Sequence, residues 1–286
     1  MSAALQLWCC EDRRGNFVEV FQRSAVAQGF DLRLFAPRGS LPADFAALIR
    51  TYRHLSPNPA PFELAVFRRW FEVRDALAGS APARFVVADS DLLLLAPPAA
   101  HAEWRETEGL VGSRGVTDEV TETDISPHFS FWTIELLRDF CAFIVRTYAE
   151  GAERLAAIHA ARTAAREPHV SISDMTLLAL WVADHGITFT DTNRLRDDRY
   201  LDHNIGMASC ADARFVCRHG RKAIDMRDSG LTLRTVAGDT IRPLLLHFVG
   251  RNKALMLAVE ARRGARLAVQ SAALAGARAV AQRLRR

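Results

Sequence analysis

Lysine is almost missing from this chain of 286 residues: of 37 Lys and Arg, only Lys222 and Lys253 are lysine. A lysine inside a chemical motif is therefore a rare choice, although a compositional bias toward arginine gives the same imbalance. Long apolar runs are missing as well. No stretch reaches the roughly 18 to 20 uncharged apolar residues that span a bilayer, which excludes a transmembrane helix on sequence grounds. The opening "MSAALQLWCCEDRRG" has no basic segment before its short apolar run, so no secretory signal is expected. The five cysteines, Cys9, Cys10, Cys141, Cys210 and Cys217, lack the paired C-x-x-C spacing of a structural zinc site. Their mostly apolar neighbours suit reduced thiols and a cytoplasmic protein.

What is present is apolar mass: 49% of the residues are hydrophobic, enough for a substantial core in one large domain or two closely joined ones. The net charge of +4 is unevenly placed, because residues 251–286 carry nine Arg or Lys against one acid and the first 250 residues are net negative. The basic character belongs to the tail, and no specific nucleic-acid partner is expected from it.

The chain alternates from its start. Residues 4–9 (ALQLWC) read as a strand, Asn16 to Gln28 as a helix, and "FDLRLFAP" as a second strand, the rhythm of an α/β sheet. "LSPNPAPFE" reads as a loop, Phe62 to Leu77 as a helix, and the strand ending at Ala88 follows. Three further helices are predicted, in "FWTIELLRDFCAFIVRTYAEG", over Ala152 to Arg166, and from Ser173 or Asp174 to about His185. Short strands and loops come next, including "ITFTD", "NIGMASC", "ARFVC", "LTLRTV" and "RPLLLHFVG". From Lys253 the Ala- and Arg-rich tail reads as helical, interrupted at Gly264 and Gly276.

The segment "RFVVADSDLLLLAPP" frames two carboxylates between apolar runs. Asp89-Ser90-Asp91 has two readings. It is a turn whose side chains bond nearby backbone N–H groups, or it is a pair of mutually repelling carboxylates that a divalent cation, Mn²⁺ or Mg²⁺, converts into attraction. Asp89 falls at the C-terminal edge of a strand, where open α/β sheets bind ligands. Late in the chain His247, Gly250 and Lys253 bring an imidazole ligand, a permissive backbone and a mobile positive charge into seven residues. Alone, His247 reads more readily as an edge histidine with a backbone partner than as a ligand.

Between its apolar strands, "ADSD" resembles the metal-binding signature of nucleotide-sugar glycosyltransferases of the GT-A fold. "SDMTLLALW" and "LHFVGRNKALM" are similar to the helix-opening acid and the H-x-x-G-x-x-K element of the retaining, glycogenin-like and galactosyltransferase-like families. The resemblance implies a twisted mixed sheet flanked by helices over residues 1–256, followed by a basic, helical tail over 257–286. It implies that Asp89, Asp91 and His247 hold the metal, that Asp89 and Asp91 approach the nucleotide, and that Gly250 and Lys253 meet its diphosphate. Asp174 faces the donor sugar, and Arg69 is the cation in the helix upstream of the acidic motif. The family's Asp-Gln is Asp174-Met175 here, and its Asn-Ser-Gly is replaced by "PHFSFW".

Other readings stand beside these. Ser171 or Ser173 caps the helix that Asp174 opens, leaving Asp174 to favour the positive helix end. Asp202, His203 and Asn204 shape an acceptor pocket or form an ordinary polar turn. Trp132 and Trp181 belong to the core. The expected function is metal-dependent transfer of a sugar, with retention, from a nucleotide sugar such as a UDP-sugar to a saccharide, lipid-linked or protein acceptor. The alternatives are a metal-dependent phosphoesterase and a basic peripheral interaction protein. Arg262, Arg263, Arg266, Arg278, Arg283, Arg285 and Arg286, interleaved with Leu267, Leu274, Val280 and Leu284, suggest attachment to an anionic membrane surface.

Overall fold

In β1 (Gln6–Cys10) alternate side chains serve two cores. Leu7 and Cys9 join one, while Trp8 and Cys10 lean on the other. A computed structural model describes residues 5–116, 121–167, 170–196, 199–206, 213–227 and 230–264. The elements that follow β1 are α1 (Asn16–Ala27), β2 (Asp31–Phe35), α2 (Ala43–Thr51), α3 (Ala60–Ala76), β3 (Phe85–Ala88), β4 (Leu92–Leu94), α4 (Ala102–Glu106), β5 (Leu110–Val116) and β6 (Thr121–Trp132). Next come α5 (Ile134–Glu150), α6 (Ala152–Ala164), α7 (Asp174–Asp184), β7 (Phe189–Asp191), β8 (Arg199–Leu201), β9 (Cys217–Arg218) and β10 (Arg221–Lys222). The chain then forms β11 (Ile224–Arg227), β12 (Gly230–Arg234) and β13 (Thr240–His247), and a helix over 253–264, here α8.

The main sheet has the order β2-β1-β3-β6-β5-β7 and is mixed: β1 runs parallel to β2 and β3, β6 runs antiparallel to β3 and β5, and β5 is parallel to β7. Both faces are covered, so β3 is buried along its whole length. On one face Val86 and Ala88 meet Val20, Phe21 and Ala25 of α1 and the leucines of a second sheet, ordered β11-β12-β13-β4 with β8 beside β13. On the other, Phe85 and Val87 meet Phe67 and Trp70 of α3, Phe140 and Ile144 of α5, and Leu177 and Trp181 of α7. The mixed sheet flanked by helices is the architecture that the resemblance implied.

Several expectations need correction. Phe131 and Trp132 end β6 and do not open a helix; Thr133 caps α5, its hydroxyl accepting from Leu136 N–H at 3.3 Å. Trp132 is a core residue as expected, but from a strand. α3 begins at Ala60, with Pro61 in its first turn where no backbone N–H is needed, so part of "LSPNPAPFE" is helix. The polar segment before the expected strand "NIGMASC" contains β8, while residues 204–206 are not strand and 207–212 lie outside the described residues. In the tail, α8 reaches Gly264, the last described residue, with Met256 and Val259 in the core. Arg266, Leu267, Leu274, Gly276, Arg278, Val280, Arg283, Leu284, Arg285 and Arg286 lie outside the described residues, as does Cys210. Cys9, Cys10 and Cys141 are free thiols. Among the described residues no helix is long and apolar enough to cross a membrane.

Candidate metal centre and active site

Asp89-Ser90-Asp91 is where the chain passes from one sheet to the other. Asp89 N–H donates to the His128 carbonyl at 2.9 Å and so extends the pairing of β3 with β6. Asp91 is tied to the second sheet instead: its carbonyl accepts from Phe248 N–H at 2.9 Å, and the next residue, Leu92, lies opposite His247 in the antiparallel pair of β4 and β13. Ser90 between them donates its hydroxyl to Glu11 at 2.5 Å. The register of two ladders thus brings His247 to Asp91 although 156 positions separate them in sequence. Among the described residues neither carboxylate accepts a backbone N–H, so the pair is not a self-bonded turn.

Ligand atoms of Asp89, Asp91 and His247 all lie within 4.8 Å of one another. Asp91 is buried, and its Oδ1 has no well-formed hydrogen bond, although His247 Nε2 is 3.3 Å away. Its other oxygen lies 3.4 Å from Lys253 Nζ. Burial alone would raise the Asp91 pKa, but His247 and Lys253 overcome it and bring the carboxyl down to about 2. Burial likewise opposes a charge on His247, and Asp91 reverses that, leaving the imidazole pKa raised. Two carboxylates and an imidazole around an oxygen that no donor claims fit a small divalent cation, Mn²⁺ or Mg²⁺.

The His247 ring has a defined tautomer when neutral. Its Nδ1 lies 2.6 Å from the His203 carbonyl, which can only accept, so Nδ1 carries the hydrogen and Nε2 turns a lone pair toward the carboxylates. Lys253 reaches the site from the start of α8. Gly250, just before it, has φ +59°, the left-handed region that other residues adopt only with strain, and a side chain there would meet nothing within 4 Å. The glycine is needed here for the bend. Lys253 Nζ also lies 4.5 Å from the centroid of Phe17.

Arg69 is a second bridge. One guanidinium nitrogen pairs with Asp89 and the other with Asp174 Oδ2 at 2.6 Å, an oxygen that also accepts from Trp70 Nε1 at 3.0 Å. Burial pushes the Asp174 pKa up and Arg69 offsets only part of it. The side chain is 3% exposed and lies behind Arg69. Ser173 occupies the N-cap position without a side-chain bond, and Ser171 bonds Ser56 and Glu63, so neither serine caps α7. Arg68 is taken by Glu72, and Arg74 by Asp44 and Asp75.

The polar segment Asp202-His203-Asn204 supports His247 from behind. Asp202 accepts from His247 N–H at 3.0 Å and from Lys222 Nζ at 2.6 Å, and Asn204 accepts from Gly206 N–H at 3.0 Å. His128, in β6, stacks on His247 with centroids 4.3 Å apart and planes 8° apart. His128 and Lys222 escape a reading by motif; only Lys222 leaves a trace, as the chain's other lysine.

No family model matches the chain, and no curated protein matches it. Several solved structures are similar at low identity. Mouse xyloside xylosyltransferase 1 in its apo form aligns at 10% identity over 66% of this chain and 84% of that one, with a TM-score of 0.42. The glycosyltransferase GlyE of Streptococcus pneumoniae TIGR4 aligns at 12% identity over 71% of this chain, with a TM-score of 0.40, and the match spans about half of that protein, 48%. The galactosyltransferase LgtC, in complex with donor and acceptor sugar analogs, aligns at 10% identity over 62% of this chain and 70% of that one, with a TM-score of 0.36.

Proposed function

We propose that the protein is a divalent-metal-dependent glycosyltransferase that takes a sugar from a nucleoside diphosphate sugar, with a UDP-sugar as the first donor to test. The observation that carries this reading is the meeting of Asp89, Asp91 and His247 within 4.8 Å, with Lys253 3.4 Å from Asp91, at the C-terminal edge of β3. Asp89, Asp91 and His247 would hold Mn²⁺ or Mg²⁺, which supplies a positive centre for the two phosphates when bound. Lys253 meets the negative charge that grows on the departing diphosphate. Arg69 holds Asp89 in place, and Asp174 positions the reacting centre through Arg69. The acceptor is a saccharide, a lipid-linked sugar or a protein.

Calorimetry with UDP is the direct test. Binding should weaken strongly in chelator, and Asp91→Asn should reproduce that loss with an unchanged circular-dichroism spectrum. Equally tight UDP binding by the variant with and without Mn²⁺ would remove the metal role. A donor screen by mass spectrometry with Mn²⁺, read in a matching cell extract, then identifies the sugar transferred. Release of a phosphate with water alone and no glycosylated product would replace transfer by hydrolysis.

A further inference from the structure

His247 is held at three points by groups that do not themselves face the carboxylates. Its backbone N–H donates to Asp202 Oδ2 at 3.0 Å, its Nδ1 donates to the His203 carbonyl at 2.6 Å, and its ring lies flat against His128. Each of these groups is itself fixed. Asp202, fully buried, receives Lys222 Nζ at 2.6 Å on its other oxygen, and that ammonium stands 4.9 Å and 4.8 Å from the ring centroids of Tyr200 and Phe215 and 2.9 Å from the Tyr200 hydroxyl. His128 Nε2 lies 3.1 Å from the Asp202 carbonyl, an acceptor only, so it carries the hydrogen. Nδ1 is then free to accept from the Ser126 hydroxyl at 2.9 Å. The two imidazoles and Asp202 form one closed network in which donors and acceptors are matched.

We infer that Asp202, anchored by Lys222, and His128 are positioning residues that fix the backbone and the ring of His247 so that Nε2 faces Asp91 and Asp89. A buried ion pair is a costly way to hold a fold together, since apolar residues of similar size often serve stability as well. Here one carboxylate joins that pair to the backbone of a metal-facing histidine, and groups that orient a ligating histidine typically change metal affinity by 10- to 100-fold. The inference rests on the metal reading above.

The test compares two paired variants of the full chain that both delete the ion pair. Asp202→Asn with Lys222→Met keeps an oxygen to accept His247 N–H, whereas Asp202→Leu with Lys222→Met does not. Mn²⁺ affinity is read without donor or acceptor, from the electron paramagnetic resonance signal of the free ion, at a temperature well below each variant's Tm. The Leu/Met variant should bind Mn²⁺ at least about 10-fold more weakly than the unaltered protein, and the Asn/Met variant should stay within about threefold. Equal affinity in all three proteins overturns the inference, and so does an equal loss in both variants. His128→Ala decides independently if the Leu/Met variant does not fold: it removes the stacked ring and should also weaken Mn²⁺ by about 10-fold, while unchanged affinity with a lowered Tm makes His128 a core histidine only. Absence of Mn²⁺ binding by the unaltered protein removes the metal reading, and this inference falls with it; Mn²⁺ binding with unaffected variants removes this inference alone.

Discussion

Lys253 stands where charge and chemistry meet: its ammonium is 3.4 Å from a carboxylate whose pKa it helps to depress, and it is supplied by a mobile four-carbon stem. Under the proposed function its charge matters most when the diphosphate leaves. Lys253→Ala should therefore lower turnover by roughly 10²- to 10³-fold while donor affinity falls less, as steady-state kinetics and calorimetry on the same preparation would read. Wild-type turnover in that variant would contradict the role. Arg69 offers a complementary case, because its loss leaves the buried Asp174 carboxylate without a counter-charge. Arg69→Met should destabilise the protein by about 3 to 5 kcal/mol, seen as a lower urea midpoint. Adding Asp174→Asn should recover part of that loss, since the uncompensated charge is gone while an oxygen remains for the Trp70 N–H. A double variant no more stable than Arg69→Met alone would show that the pair does not couple.

At the scale of elements, what was legible follows from how clearly each segment shows a one-sided apolar pattern. α1 and α7 were readable to within a residue or two, because each has a defined apolar face or run and an abrupt end. β6 was not. Its described side chains from Ile125 to Trp132 are buried on both faces, so "ISPHFSFW" shows neither the alternation of a half-exposed strand nor a continuous apolar run, and Phe131-Trp132 merged into the apolar start of α5. α2 is only nine residues long and follows Pro42, and its two buried positions, Phe45 and Leu48, are too few to establish a period. The motifs singled out Asp89, Asp91 and His247, which the fold brings within 4.8 Å of one another, whereas the contacts of His247 with His128 and of Asp202 with Lys222 depend on the register of strands far apart in the chain. The boundary that sequence reading placed too early has its own physical mark in Thr133. Its cap bond to Leu136 N–H is worth roughly 1 kcal/mol, so Thr133→Ala should lower stability by about that amount in a urea titration, and Thr133→Ser should restore it. Equal stability of the Ala variant would mean that packing alone starts α5.

For the molecule as a whole, the two cores on either side of the main sheet set how it meets acid. His101 is fully buried among Phe30, Trp104 and Phe129, and burial lowers its pKa from 6.5 to about 4, with the Ala96 carbonyl opposing only in part. A histidine whose folded pKa is depressed favours the fold above its unfolded pKa, because below it the unfolded chain binds the proton first. Stability is therefore full above about pH 6.5 and falls as the pH drops toward about 4. His128 is depressed mainly by burial and acts in the same sense. His247 acts oppositely: its raised pKa contributes stability below 6.5 that is lost as the pH rises through the folded value, so it does not cause acid loss in this window. Asp91, with its pKa depressed to about 2, adds a further loss only once the pH falls below the ordinary carboxylate value of 3.8. Urea unfolding at about pH 7 and about pH 4.5, compared between a His101 variant and the unaltered protein, isolates His101, because the other titrating groups are common to both. His101→Phe, which keeps an aromatic ring in an aromatic nest, should reduce the stability difference between those two conditions by about 2 to 3 kcal/mol. An identical difference in variant and unaltered protein would show that His101 takes no part in the acid sensitivity.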